Sequence, residues 1–208
     1  MCWNEDVSLN TFIFSLFVLI LIAYNNTYTK YKIKELDNPF AYIFIFSIIS
    51  IQLLEYFLWK NLGNKDINHM LSLVGTFIIY IQPIAALFLL KDTEMRNRLI
   101  FIYLLSLPVL LYQMNKIQIL TLVSKTGHLQ WNWPNMGFVA FMYILFLFYP
   151  LIVEKFYTIA SAAAILLLLS IYSYGQDNSY KSFWCWYANI FMIMYAFKLL
   201  VYLPHKLH

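Results

Sequence analysis

The carboxylate most deeply set in an apolar stretch is Glu55, within Ile51-Gln52-Leu53-Leu54-Glu55-Tyr56-Phe57-Leu58-Trp59. Gln52, Glu55 and Trp59 follow one another at i, i+3 and i+7, so a helix here puts all three on one face. Glu55 then lies about one turn, ~6 Å, below the tryptophan. Holding a charge in hydrocarbon is expensive, which makes such a group a functional candidate by default. A carboxyl at that depth can exchange a proton with an aqueous vestibule. A carboxylate that only hydrogen-bonds neighbouring helices satisfies the same pattern.

Other polar side chains fall at similar depth. Ser8, Thr11 and Ser15 share a helical face, His69 opens a later apolar stretch, and Cys185 with Asn189 forms an i, i+4 pair. Ser15, Gln52, Glu55, His69 and Asn189 therefore make up a candidate intramembrane polar site, suited to a small ion or a proton. A second candidate is aromatic. Trp3, Trp59, Trp131, Trp133, Trp184 and Trp186 all map to one membrane face, as a lid over a cavity or as a one-sided interfacial anchor.

Lys198 is the other ionisable residue inside an apolar stretch, in Tyr195-Ala196-Phe197-Lys198-Leu199-Leu200. A lysine in a last helix invites comparison with retinal Schiff-base chemistry. It sits near the inner end, where a long side chain snorkels to water, and the third stretch offers no carboxylate counter-ion. Cys2 and Cys185 map to the same face and could pair as a disulfide if that face is oxidising. Beside His69 and His128 they lack C-x-x-C or H-x-x-x-H spacing, so no metal site is expected. No Ser/His/Asp set, no H-E-x-x-H and no Gly-rich loop occurs. Enzyme chemistry is disfavoured, and no cofactor is implied.

The elements that must carry these residues follow from composition. Of 208 residues, 62% are hydrophobic and 12% charged, against about 25% charged in ordinary soluble domains. A soluble enzyme or a nucleic-acid-binding domain is excluded, and the lipid bilayer becomes the expected partner. Only five glycines are present, too few for most phosphate-cradling folds. Apolar stretches at 9–24, 39–59, 69–90, 98–114, 136–153, 157–174 and 182–203 approach the ~20 residues a span requires. Their composition lacks the two-residue alternation of barrel strands. The expectation is all-α, a polytopic seven-transmembrane-helix bundle in a single domain over residues 1–208. Connections are short except for 115–135, which has room for something extra.

The start, MCWNEDVSLN, is acidic where a signal peptide would be basic. Lys30, Lys32, Lys34, Lys91, Arg96, Arg98, Lys155 and Lys206 fall on one side, and Lys60, Lys65, Lys116, Lys125 and Lys181 on the other. This bias predicts the N-terminus outside and the C-terminus cytoplasmic. Asn25-Asn26-Thr27 would then stay unglycosylated. Gln82-Pro83, Pro108 and Pro150 are expected to kink their helices, and Ala160-Ser161-Ala162-Ala163-Ala164 offers a small-residue packing face.

Met1-Cys2-Trp3 with Ser8, Gln52-Leu53-Leu54-Glu55 through Trp59, Gln82-Pro83, and Leu129-Gln130-Trp131-Asn132-Trp133 together resemble a family of small multi-pass proteins. That family occurs in giant DNA viruses and microbial eukaryotes. The resemblance spans most of the chain and implies a multi-pass membrane protein without supplying a mechanism. Three functions follow from the residues: a small carrier or channel-like protein with an outward polar vestibule around Glu55; a structural or accessory protein of a viral or host membrane assembly; and a receptor or pigment-like ligand binder.

Overall fold

A computed structural model describes residues 4–116, 118–131 and 137–207. Helix α1 (Glu5–Tyr28) starts on the Asn4 side chain, which accepts the Val7 amide, with Glu5 and Asp6 in the first turn to complement the helix dipole. Helix α2 (Pro39–Lys60) is capped by Asn38 with Pro39 in the first turn, and α3 (Lys65–Leu87) is capped by Asn64. Asp92 caps α4 (Thr93–Leu104), which continues after a short break as α5 (Leu107–Met114). The break has a local cause: Pro108 cannot bond the Leu104 carbonyl and its ring would strike it. Helices α6 (Gly137–Val153) and α7 (Tyr157–Tyr174) follow, then α8 (Tyr180–Ala188), α9 (Ile190–Phe197) and α10 (Leu203–Leu207).

Among the described residues, five helical rods are long and apolar enough to cross a membrane: α1, α2, α3, α4 with α5, and α7. Helix α6 is apolar but only 17 residues long. The last predicted span, 182–203, is divided rather than continuous. Its first break falls at Asn189, between α8 and α9, and a π-helical turn over Lys198–Tyr202 precedes α10. The wide turn has a physical reason, since Pro204 would clash with the Leu200 carbonyl in a regular α-helix. The Leu203 amide instead reaches back to the Lys198 carbonyl.

The long connection holds a two-stranded antiparallel hairpin, β1 (Thr121–Val123) and β2 (Leu129–Trp131), with Thr121 opposite Trp131. Gly127 adopts φ +79°, a conformation that favours glycine, and its amide closes the turn on the Ser124 carbonyl. Asn68 on α3 anchors the hairpin twice, donating to the Thr121 carbonyl and accepting the Thr121 amide, both at 2.9 Å.

Helices α1, α2, α3 and α6 pack in succession, α8 packs on α2 and α7, and α9 packs on α1. One end of the bundle carries the hairpin. The opposite end, here called the tail end, is fastened by Glu154, which accepts the Lys91 amide, and by the Glu35–Lys198 ion pair. Tyr80 and Tyr103 lock α3 to α4 by stacking and by exchanging hydroxyl-to-carbonyl bonds. Phe17, Ile20, Phe101 and Leu168 are exposed, while Ser8, Ser15, Ser72 and Ser170 are buried. Apolar outside and polar inside is the arrangement a bilayer selects, because polar side chains there gain by bonding between helices.

Candidate functional site

Glu55 is completely enclosed, with 0% exposure. Its Oε1 accepts the Ser182 hydroxyl of α8 at 2.6 Å, and its Oε2 accepts the Gln52 side-chain amide at 3.2 Å. Helix spacing placed Gln52 and Glu55 on one face. Ser182 was missed, because nothing local marks a serine at the start of an apolar stretch as facing a carboxylate on another helix. Gln52 Oε1, Trp59 Nε1 and Trp186 Nε1 are buried without a hydrogen-bond partner among the described residues.

The hairpin closes this layer off. Leu129 and Trp131 pack with Ile51, Leu54 and Leu58 on the same stretch of α2, while Leu122 and Val123 on the other strand are exposed. Beside Ser182, Phe183 stacks on Tyr174 with ring centroids 3.6 Å apart and takes His128 edge-on at 4.5 Å. Burial holds the His128 imidazole below its usual range. Asp177, in the α7–α8 turn, accepts the Thr126 hydroxyl of the hairpin and the Ser179 hydroxyl and amide. Partial burial acts to raise the Asp177 carboxyl, but these hydrogen bonds outweigh it and hold the group low.

Of the five residues in the candidate polar site, the structure makes two pairs. Gln52 joins Glu55, and the Ser15 hydroxyl donates to Asn189 Oδ1 at 2.6 Å. The second pair bridges α1 to the break between α8 and α9. His69 goes elsewhere: its Nδ1 meets the Ile119 carbonyl at 2.9 Å, ahead of the hairpin. Ser8 and Thr11 bond carbonyls one turn back, at Asn4 and Val7.

The four described tryptophans sit in different surroundings. Trp131 is buried and Trp59 packs beside it. Trp186 lies edge-on to Tyr187. Trp184 is two residues from Trp186, so a helix turns it about 200° away. Its indole donates to the Ala163 carbonyl at 3.3 Å and meets Tyr143 edge-on. Trp3, Trp133 and Cys2 lie outside the described residues, as does the side chain of Cys185, so the lid's remaining members and the disulfide do too.

Trp184 lines a cavity of about 110 Å³. Its walls come from α2 (Phe44, Ile45, Ile48), α6 (Tyr143, Leu147), α7 (Ile159, Ala163, Leu166) and α9 (Phe191, Met192, Tyr195). Glu55 is not among them. The polar residues that reach it are mostly committed to one another. Gln82 donates to the Ser47 carbonyl at 3.1 Å and accepts the Tyr143 hydroxyl at 2.7 Å. At the tail end the wall includes Glu35, whose Oε1 is 2.6 Å from Lys198 Nζ. Partial burial pushes the Glu35 carboxyl up, yet the Lys198 bond and charge overcome it and leave it below the ordinary range.

Among the described residues, no three His, Cys, Asp or Glu side chains gather as metal ligands. No family model matches the chain, and neither a curated protein nor a solved structure does.

Proposed function

We propose that the chain is a seven-span integral membrane carrier for a small, largely apolar solute, with its N-terminus outside and its C-terminus cytoplasmic. The observation that carries this reading is the division of the bundle. An apolar cavity occupies the tail half, and a sealed polar layer around Glu55 occupies the hairpin half. The broken helix α8–α9 runs through both, since Ser182 bonds Glu55 while Trp184 and Phe191 line the cavity, and Asn189 at the break between them accepts from Ser15. Discontinuous helices at mid-membrane are a common device of carriers. The solute enters from the tail end, and the Glu55 layer is the closed gate on the opposite side.

Glu55 is the titratable latch of this gate. Both of its oxygens accept hydrogen bonds, one from Ser182 on α8 and one from Gln52 on its own helix. Protonation turns one oxygen into a donor, so that the Ser182 hydroxyl or the Gln52 amide must turn to accept and the contact between α2 and α8 is rearranged. The substitution Glu55→Gln keeps the volume but removes the proton. In vesicles loaded with a pH-sensitive dye, the parent protein is expected to show a pH-dependent proton flux that Glu55→Gln loses while its helix content and melting temperature hold. No proton flux in the parent under any gradient refutes the titratable gate at Glu55. Engineered cysteines at Asn4 and Lys206 should label from opposite sides; labelling from the same side refutes the odd number of spans.

A second reading is a structural or accessory membrane protein, favoured by the complete enclosure of Glu55. The resemblance to proteins of giant DNA viruses suits that reading. A receptor or pigment-like binder would use the same cavity and would bind solute without moving it.

A further inference from the structure

We infer that Arg96 holds the phosphate of one anionic glycerophospholipid at the tail end of the bundle, where α3 turns into α4. Such a site requires only that the tail end meet a membrane surface, so it does not depend on the carrier reading.

The state of the guanidinium is the first ground. Arg96 lies near the start of α4, and a helical side chain leans toward the helix N-terminus. It thereby reaches back over the Phe88 ring, 5.3 Å from its centroid. Phe40 of α2 stacks on the same ring with centroids 5.1 Å apart, which fixes that ring in place. A ring face attracts a cation but uses none of its N–H donors in the guanidinium plane. Arg96 Nε is buried without a hydrogen-bond partner among the described residues, and none of their ion pairs includes this side chain. The carboxylates of this corner are committed elsewhere. Asp92 caps α4 by accepting the Glu94 and Met95 amides, Glu94 pairs with Arg98, and Glu154 holds the Lys91 amide and ammonium.

The second ground is what surrounds it. Glu154 ties the α6–α7 turn to the α3–α4 turn and brings the exposed Lys155 to the same corner of the bundle. Lys91, Arg96, Arg98 and Lys155 there outnumber Asp92, Glu94 and Glu154, so the corner keeps a positive excess. That field favours a headgroup with net negative charge over a zwitterion. The paired oxygens of a phosphate diester match the fork of a guanidinium, and a helix end is the depth at which headgroups lie. Further along the same rod Phe101 and Leu105 are exposed, so acyl chains below the phosphate meet apolar surface. A soluble anion gains nothing from that surface, which commits the site to a lipid.

The test uses the full-length protein, stripped of lipid in a neutral detergent, with thermal unfolding followed as dioleoyl phosphatidylglycerol is added. The melting temperature should rise and saturate, whereas dioleoyl phosphatidylcholine and glycerol 3-phosphate should leave it nearly unchanged. Arg96→Gln should keep the lipid-free melting temperature and need about fivefold more phosphatidylglycerol for the same rise. Arg96→Lys, which retains the charge but not the fork, should fall between. If Arg96→Gln does not fold, Phe88→Leu removes the ring beneath the guanidinium and should weaken the response in the same direction. Lys206 also lies over a ring, that of Tyr202 at 5.6 Å, but it is exposed, and Lys206→Gln should respond as the parent does. Equal weakening by Lys206→Gln and Arg96→Gln overturns the site in favour of diffuse attraction to the basic end. Phosphatidylcholine acting as strongly as phosphatidylglycerol overturns the anionic headgroup, and glycerol 3-phosphate acting as strongly overturns the lipid. An unchanged response in Arg96→Gln overturns Arg96 as the phosphate ligand. None of these outcomes bears on the cavity or on Glu55, so the carrier reading stands or falls by its own experiments.

Discussion

The two halves of the bundle solve opposite problems with the same helices. In the hairpin half, Glu55 accepts from both Gln52 and Ser182 under a cap of Leu129 and Trp131, and no part of Glu55 is exposed. In the tail half, large side chains leave a slot, and the polar atoms of Gln82, Tyr143 and Trp184 are bonded within its wall. The paired carboxylate joins α2 to α8, whereas the tail half leaves apolar volume between its helices. Lipid is as apolar as leucine, so polar contacts and close packing, rather than a hydrophobic drive, hold such helices together.

The sharpest way to break this comparison is Glu55→Ala. It leaves the Ser182 hydroxyl and the Gln52 amide without their carboxylate in an enclosed layer, a loss expected to cost about 3 kcal/mol. Thermal unfolding in detergent should show a large drop in melting temperature, with Glu55→Gln losing much less. Equal melting of both variants would mean that the carboxylate does not join α2 to α8.

Next in size is Asn68→Ala, which removes both bonds holding Thr121 and should cost about 2 kcal/mol. Its effect should be local, with amide exchange in residues 121–131 rising while α6 and α7 stay protected. Exchange that rises uniformly would show that the hairpin is an integral part of the bundle rather than its cap.

A double-mutant cycle on Ser15 and Asn189 should return a coupling of about 0.6 kcal/mol, the usual scale for hydrogen bonds between membrane helices. A coupling near zero would mean that this bond does not tie α1 to the helix break.

The smallest effect expected is the response of the hairpin end to acid. His128 is held low by burial, so its contribution is complete above the unfolded value of about 6.5 and fades as pH falls through the folded one. Asp177 is held low by its hydrogen bonds despite burial, so its contribution is complete above about 3.9 and is lost at still lower pH. Exchange at residues 121–131 should therefore rise in two stages on acidification. His128→Gln should remove the upper stage and Asp177→Asn the lower one. A single stage unchanged by both variants would refute this attachment.

Much of the fold was legible in the chain. The apolar stretches at 39–59 and 157–174 coincide closely with α2 and α7. Pro108 marked the break between α4 and α5, whereas no local signal marked the break at Asn189. Asn26 was also passed over, as the middle of a chance glycosylation sequence. It is a hub of the tail end: it accepts the Ile33 amide and donates to the Ile33 and Leu36 carbonyls and to Tyr42. An asparagine inside an apolar helix was the available signal.

What the sequence by itself determined was an all-helical chain with helices apolar enough to span a membrane, and the shared face of Gln52 and Glu55. These follow from transfer free energy and helical period, which act over windows of about 20 residues. Only the tertiary structure decided that Ser182 faces Glu55, that His69 turns to Ile119, and that Trp184 and Trp186 part company. It also decided that the slot opens beside Glu35 rather than beside Glu55. The physical reason is that lipid and protein interior are equally apolar. Hydropathy therefore carries no record of which face of a helix meets a neighbour, and that is settled by packing and by hydrogen bonds between residues as far apart in the chain as Glu55 and Ser182.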